Sequence, residues 1–114
     1  MASGANLIVY PVKDLAQAKA LYRKLLGVDP YVDGPYYVGF RSGDQELGLD
    51  PNGHSSGQTG PVVYWRVKDI KARLQELVAA GADTQKPVTD VGGGLLIAWV
   101  TDADGNAIGL RQEP

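Results

Sequence analysis

Two short apolar stretches, each followed by a helical pattern, divide the chain into similar halves. Residues 7–9 and 62–67 are rich in β-branched, aliphatic and aromatic side chains, which indicates strands. Apolar residues then recur at intervals of three and four, which predicts an amphipathic helix after each strand. These positions are Leu15, Ala18, Leu21, Tyr22, Leu25 and Leu26 in the first half, and Ile70, Leu74, Leu77 and Val78 in the second.

Both helices have clear start and stop signals. Asp14 and Asp69 lie where an N-cap belongs, and a carboxylate there accepts hydrogen bonds from the free N–H groups of the first turn. Gly27 and Gly81 follow the last apolar positions, and glycine readily adopts the left-handed conformation that ends a helix. The helices are therefore predicted to begin after the aspartates and to end at the glycines.

Strand patterns follow each helix, so that the order strand, helix, three strands is predicted twice. Val-Lys-Asp precedes both helices, and an apolar-Gly-apolar triplet closes both halves. We expect a first module over residues 5–50, a polar, glycine-rich linker over 51–60 and a second module over 61–112. Two strand candidates can be located after each helix: residues 36–41 and 47–50 in the first half, and residues 95–101 and 107–111 in the second.

Composition and charge exclude several classes of protein. The 114 residues are 44% hydrophobic and 21% charged, which is typical of one folded domain over residues 1–114. The net charge of −2 and the absence of basic clusters argue against a nucleic-acid partner. No apolar stretch is long enough to span a membrane, and the first residues lack the pattern of a signal peptide, so a cytoplasmic location is expected. The absence of cysteine excludes disulfides and thiolate chemistry.

The repeated motifs resemble the vicinal oxygen chelate superfamily, which includes glyoxalase I, extradiol dioxygenases and bleomycin-resistance proteins. The resemblance rests on the two Val-Lys-Asp motifs, the Leu-Gly that ends the first helix and the segment DADGNAIGL at residues 102–110. It implies an α+β fold in which two βαβββ modules in tandem form a U-shaped mixed sheet around a cavity, with the helices on the outer face. It also implies a homodimer, as in many members.

The same resemblance implies four metal-facing positions, on the first and last strands of each module. They correspond to Leu7, Gly48, Val62 and Gly109, and none of these has a donor atom for a divalent cation. We therefore expect no metal, no cofactor and no catalytic residue of the family type.

Strand alternation places a set of aromatic and charged residues on the face of the empty metal positions. Glycine at positions 48 and 109 is expected to leave room for a ligand there, whereas Tyr10 and Trp65 are expected in the core on the opposite face. The candidate ligand-binding residues are Phe40, Glu46, Asp50, Tyr64, Arg66, Trp99 and Arg111. Both arginines could instead form internal salt bridges with the two carboxylates.

These features favour a metal-independent protein that binds or sequesters a small aromatic or amphipathic molecule, such as an antibiotic, as bleomycin-resistance proteins do. One alternative is a divergent metal-dependent lyase, isomerase or dioxygenase, in which Glu46 and Asp50 hold the cation or transfer protons. A third class is an interaction module whose cavity is filled by its own side chains.

Overall fold

Each half of the chain folds as a strand, a helix and three further strands, as predicted. In the computed structural model, which describes residues 4–114, the α+β fold divides into two compact units. The first unit spans residues 6–62, and the second contains residues 4–5 and 63–114. The elements are β1 (Ala5–Pro11), α1 (Leu15–Leu26), β2 (Val32–Asp33), β3 (Val38–Ser42), β4 (Gln45–Asp50), β5 (Val62–Arg66), α2 (Ile70–Ala79), β6 (Asp83–Asp90), β7 (Leu96–Thr101) and β8 (Ala107–Gln112).

The two units have the same mixed sheet topology. In the first unit the strand order is β2-β3-β4-β1, and in the second it is β5-β8-β7-β6. The first and last strands of each module run parallel, while the other neighbours are antiparallel. A U-shaped sheet around a shared cavity stays a prediction.

The helix caps are confirmed. The carboxylate of Asp14 accepts a hydrogen bond from the N–H of Gln17 at 3.0 Å, and that of Asp69 accepts one from Ala72 at 3.1 Å. Gly27 caps α1 with a φ of 68°, whereas α2 ends one residue earlier than predicted, with its C-cap at Ala80. Within residues 4–114, neither helix is long and apolar enough to cross a membrane.

Each helix packs on one face of its own sheet and forms a hydrophobic core there. Val38, Phe40 and Leu49 are the buried centre of the first core, and α1 contributes Leu15, Ala18, Tyr22 and Leu26 to it. The centre of the second core is Val67, Ile70, Ala98 and Leu110, against which Leu74 and Leu77 of α2 pack. Burial of these side chains stabilises each helix on its sheet.

The two aromatic residues expected in the helix-side cores differ in their burial. Tyr10 packs in the first core, and its ring lies 5.4 Å from that of Tyr22. The prediction for Trp65 is wrong, because its side chain is 41% exposed. In the register of the sheet Trp65 pairs with Leu110, but α2 covers Leu110 and Ala98 rather than the indole.

Three segments have structure that the sequence pattern did not locate. β2 has only two residues, both exposed, and β6 has the polar sequence DTQKPVTD with two register shifts against β7. Residues 51–57 of the expected linker form successive turns, in which the carbonyl of Asn52 accepts bonds from Ser55 and Ser56. Gly53 and Gln58 are buried there.

Candidate functional site

The strand registers define one face of each sheet, which we call the glycine face because it carries Gly48 or Gly109. In the first unit, Val9 and Gly39 pair with Gly48, and Arg41 pairs with Glu46. In the second unit, Tyr64 and Trp99 both pair with Gly109. Alternation directs these residues away from the helix-side cores, where Leu49 and Leu110 lie.

The four positions that the resemblance assigns to metal ligands have no side-chain donor atoms. Leu7 and Val62 are buried aliphatic residues on β1 and β5, and Gly48 and Gly109 lie on β4 and β8. Within residues 4–114 there is no group of three or more His, Cys, Asp or Glu residues that could hold one. No step of metal chemistry is therefore derived for this site.

The side chain of Tyr37 fills the space over Gly48. A methyl group built on Gly48 would lie 2.6 Å from Cζ and 2.8 Å from Cε1 of Tyr37, and closer still to the hydroxyl oxygen. Such distances are far shorter than van der Waals contact between carbon atoms. Only glycine at this position leaves the distal half of the tyrosine ring undisturbed.

A second tyrosine fills the equivalent space over Gly109. A methyl group on Gly109 would lie 2.6 Å from Cδ1 and 2.7 Å from Cγ of Tyr64, the proximal half of that ring. Tyr64 is itself buried. In the second unit, therefore, the half of the ring nearest to the tyrosine backbone lies against the glycine.

The expectation that the two glycines leave room for a ligand is wrong for the space next to their Cα atoms, because Tyr37 and Tyr64 of the same units fill that space. The two glycines are equivalent in the repeat, but the tyrosines are not. Tyr37 precedes β3, whereas Tyr64 lies on the first strand of its module. An aromatic ring therefore covers the glycine on each glycine face, but the ring comes from a different element in each unit.

Glu46 lies at the centre of a polar cluster on the first glycine face. It is only 7% exposed, and its Oε1 accepts a hydrogen bond of 2.5 Å from the Tyr31 hydroxyl. Its Oε2 accepts a longer bond of 3.4 Å from Nδ2 of Asn6. The Arg41 guanidinium lies 3.7 Å from Oε1 and stacks on the Tyr31 ring at 4.2 Å from the centroid. These contacts compensate the buried charge and fix its position.

Asp50 shares the strand and face of Glu46 but supports a turn. Its Oδ1 accepts a hydrogen bond of 2.8 Å from the N–H of Asn52, at the start of the segment that follows β4. Its own carbonyl accepts from the N–H of Val12 at 3.0 Å. Asp50 therefore joins the end of the strand to two neighbouring loops.

The predicted orientation of Phe40 is wrong. Phe40 pairs with Leu47, is completely buried and belongs to the helix-side core of the first unit. Gly39 and Arg41 are its neighbours on the glycine face instead. Two adjacent tyrosines begin the strand candidate 36–41, so its sequence alone does not fix which alternate residues face the helix. In the structure the Phe40 ring is buried in the helix-side core.

The orientation predicted for Trp99 and Tyr64 is confirmed. Both pair with Gly109, and both are buried. The smaller apolar residues of the same strand, Ala98 and Val100, are fully buried, and Ala98 packs in the helix-side core. The two faces of β7 therefore divide as the sizes of the side chains suggested; whether Trp99 and Tyr64 contact a ligand stays a prediction.

Two arginines lie on the second glycine face, where Arg66 pairs in register with Arg111. The Nε of Arg66 lies 3.8 Å from Oε1 of Glu113, so that its ion pair is with the C-terminal segment. Arg111 is buried at 9% exposure. A ligand contact for either residue stays a prediction.

The sequence interpretation missed Tyr31 and Tyr37, which cover the first glycine face. Both lie between α1 and β3, a segment without a strong periodic pattern. One signal could have located them: a strand glycine often marks a close approach by another group, and Gly39 and Gly48 lie side by side in the register.

Two pKa shifts lie outside the glycine faces. Burial, with a smaller contribution from Tyr10, raises the pKa of Tyr22 on the helix side. Hydrogen bonds from the side chain and backbone of Asn106 hold the pKa of Asp102 below its usual range. Both effects belong to the packing of the fold rather than to the candidate site.

Comparison with known proteins agrees with the tandem architecture. In the solved structures, a protein from Legionella pneumophila titled an NAD-dependent benzaldehyde dehydrogenase has 18% identity and a TM-score of 0.74, with 95% of this chain and 98% of that chain covered. A superfamily member from Vibrio splendidus has 16% identity and a TM-score of 0.69 over 94% and 97% of the two chains. Methylmalonyl-CoA epimerase from Mycobacterium tuberculosis has 18% identity and a TM-score of 0.70 over 99% and 89%. At these identities the likeness shows the fold alone.

The fold and the repeat define a protein built from two βαβββ modules. The model of the Glyoxalase/Bleomycin resistance protein/Dioxygenase superfamily matches residues 4–110, and the chain belongs to this superfamily. No curated protein matches it. The resemblance inferred from the motifs is thus confirmed at the level of the superfamily.

Proposed function

We propose that this protein binds a small aromatic or amphipathic molecule without a metal ion. The observation that carries the proposal is the replacement of metal-ligand positions by glycines over which Tyr37 and Tyr64 lie. The two glycine faces therefore offer aromatic surface and hydrogen-bonding groups rather than metal ligands. Ligand sites of this composition bind by burying apolar area and orient the ligand through a few polar groups.

Each glycine face supplies both kinds of group. In the first unit the ring of Tyr31 lies beside the charged pair Arg41 and Glu46. In the second unit Tyr64 and Trp99 flank Gly109, and Arg111 lies two residues further along β8. Aromatic side chains provide contact area at a low cost in conformational entropy, and the charges would select the orientation of a polar substituent.

The alternative of a divergent metal enzyme has less support, because the two carboxylates it needs are already engaged. Both oxygens of Glu46 accept hydrogen bonds from side chains of the same unit. One oxygen of Asp50 accepts a bond from a turn N–H. A cation at this place would have to displace these donors and overcome the repulsion of the adjacent Arg41.

The bleomycin-resistance type of action, in which a protein sequesters its ligand stoichiometrically, is the form of binding that we favour. It needs no catalytic group, and it agrees with a site from which the family's donors are absent. A homodimer is part of the same proposal.

The proposal is tested by titrating the Trp65→Phe variant with a panel of planar aromatic compounds, once without and once with a chelator. Trp65 is exposed, so its removal leaves the buried Trp99 as the only tryptophan and fluorescence reporter. We expect saturable binding at one or more compounds, with the same Kd by calorimetry on the unmodified chain. Absence of binding across the panel, or binding that disappears with the chelator, would overturn the proposal.

A further inference from the structure

The segment at residues 29–37, which we call the strap, is fastened to the first glycine face by two tyrosines. Tyr31 lies near its start and Tyr37 at its end. Both rings contact the space over Gly39, since a methyl group built there would lie 3.2 Å from Cε1 of Tyr31 and from Cε2 of Tyr37. Gly39 and Gly48 are neighbours in the sheet and together form one shallow hollow.

The Tyr31 anchor is polar at one end and stacked along its ring. Its hydroxyl donates to Glu46 at 2.5 Å, and the Arg41 guanidinium covers the ring. The Tyr31 N–H donates to the carbonyl of Gly39 at 2.9 Å. This residue therefore fixes the start of the strap by three separate interactions.

The rest of the strap has little packing of its own. β2 consists of two exposed residues, and the Tyr36 side chain is 75% exposed. Gly34 donates to the carbonyl of Tyr37 at 3.0 Å, and Lys19 of α1 pairs with Asp33 at 3.1 Å on the surface. Exposed ion pairs of this kind contribute little. β2 pairs with β3 through Val32 and Asp33, so the middle of the strap is attached to the sheet, and beyond β2 the Tyr37 ring is the next contact with the first glycine face.

The Tyr37 ring rests on the hollow by its distal half. The atoms nearest to Gly48 are the hydroxyl oxygen, Cζ and Cε1, while Cε2 approaches Gly39. The hollow is thus matched to a flat six-membered ring with a hydroxyl group at one end. Tyr37 itself is only half-buried, and it is not part of the helix-side core of the first unit.

We propose that the Tyr37 ring holds the place of the ligand in the free protein, and that the ligand is a hydroxyaryl compound which displaces it while residues 34–37 of the strap move and β2 stays paired with β3. The inference rests on the proposed function and names its ligand class. A self-occupied site binds with an affinity reduced by the fraction of time that its own side chain vacates it. Tyr31 keeps the strap attached at its start while Tyr37 moves.

The test compares the binding of 4-methylphenol and toluene to the unmodified protein and to the Tyr37→Ala variant, followed by the NMR signals of the Gly39 and Gly48 amides. We expect 4-methylphenol to shift both signals and to bind Tyr37→Ala at least about tenfold more tightly, because the competing ring is gone. Toluene lacks the hydroxyl group and is expected to bind both proteins more weakly than 4-methylphenol does. Tyr36→Ala is the matched control and is expected to leave the Kd unchanged.

A second variant locates the ligand. Gly48→Ala in the Tyr37→Ala background places a methyl group in the hollow and is expected to abolish the tenfold gain, while circular dichroism verifies the fold. The inference is overturned if 4-methylphenol does not bind, if Tyr37→Ala leaves its affinity unchanged, or if the Gly48→Ala change has no effect. Binding of other aromatic compounds with no dependence on Tyr37 would overturn this inference and leave the proposed function standing, whereas loss of all binding would overturn both.

Discussion

The hydroxyl of Tyr37 lies so close to Gly48 that any side chain at this position would collide with it. The resemblance to the superfamily assigns a metal ligand to the position of Gly48. In this chain the phenol of Tyr37, from the same unit, lies where the side chain of such a ligand would be. Tyr64 and Gly109 repeat the arrangement in the second unit with another part of the ring. Each glycine is therefore required by its tyrosine, and this dependence can be measured.

Alanine at the two glycines is expected to destabilise the protein to different extents. At Gly109 the methyl group meets Cγ and Cδ1 of the buried Tyr64, which can move only if the side chain changes its χ1 rotamer within the packed face or the backbone shifts, so we expect a loss of about 1–3 kcal/mol in the free energy of unfolding. At Gly48 it meets the distal end of Tyr37, which can swing away. Gly48→Ala should therefore cost less than Gly109→Ala in urea unfolding.

Gly60→Ala is the control for these variants, because a methyl group there meets no atom within 4 Å. It should leave the unfolding midpoint almost unchanged. In the Tyr37→Ala background the cost of Gly48→Ala should disappear, since the clashing ring is absent. An equal cost with and without Tyr37 would mean that the ring does not rest on this glycine.

Tyr31→Phe is expected to loosen the strap more than the fold. The change keeps the ring over Gly39 but removes the hydrogen bond to Glu46, which is worth about 1.5–3 kcal/mol for a charged acceptor. Amide hydrogen exchange should accelerate at Tyr31 and Gly34, whose N–H groups bond within the strap and to β3. The amides of the β7–β8 ladder serve as the internal reference; equal acceleration there would indicate global destabilisation instead.

The turn after β7 is expected to add a pH-dependent contribution to stability. Oδ1 of Asp102 accepts bonds from the N–H groups of Asp104 and Asn106, and its pKa is lowered in the folded state by the Asn106 bonds first of all. A lowered folded pKa stabilises the protein above the unfolded pKa of about 3.9 and loses that contribution as the pH falls through the folded value. Asp102→Asn should therefore be less stable than the parent at neutral pH, and the gap should narrow in acid. The exposed Asp104→Asn is the control; a constant gap at all pH values would contradict the assignment.

Gly53→Ala tests whether the segment after β4 is packed rather than a flexible linker. A methyl group on Gly53 would lie 2.5 Å from Cβ and 2.9 Å from Cα of Pro11, and 3.0 Å from Oε1 of the buried Gln58. Because backbone atoms of Pro11 cannot yield, we expect a loss of about 1–3 kcal/mol in thermal or urea unfolding. Gly60→Ala again provides the comparison, and a flexible linker would tolerate both changes equally.

The order of the elements could be predicted because each module repeats strong local signals. The helices follow from the spacing of their apolar positions, and the caps at Asp14 and Asp69 follow from the chemistry of the free N–H groups. β6 could not be located from its pattern, since an edge strand with polar residues, a proline and two register shifts lacks the alternation of a half-buried strand.

The candidate site was predictable only where alternation was unambiguous. The orientation of Trp99 follows from a regular strand with large and small residues on opposite faces, and that of Tyr64 follows from its place two residues after Val62 on β5. The orientation of Phe40 could not be predicted, since the adjacent Tyr36 and Tyr37 have opposite parity and the sequence pattern does not show that the strand begins only at Val38. That Tyr37 fills the Gly48 hollow depends on tertiary packing, which no local pattern specifies.

The central claim is that the superfamily's metal positions now serve ligand binding without a metal. The most direct measurement is elemental analysis of the protein after incubation with Mn²⁺, Ni²⁺, Zn²⁺ and Mg²⁺ and removal of the excess ion, performed on the parent chain and on Glu46→Gln. The account predicts no stoichiometric metal in either protein. One equivalent of a divalent metal in the parent, lost in Glu46→Gln, would contradict it.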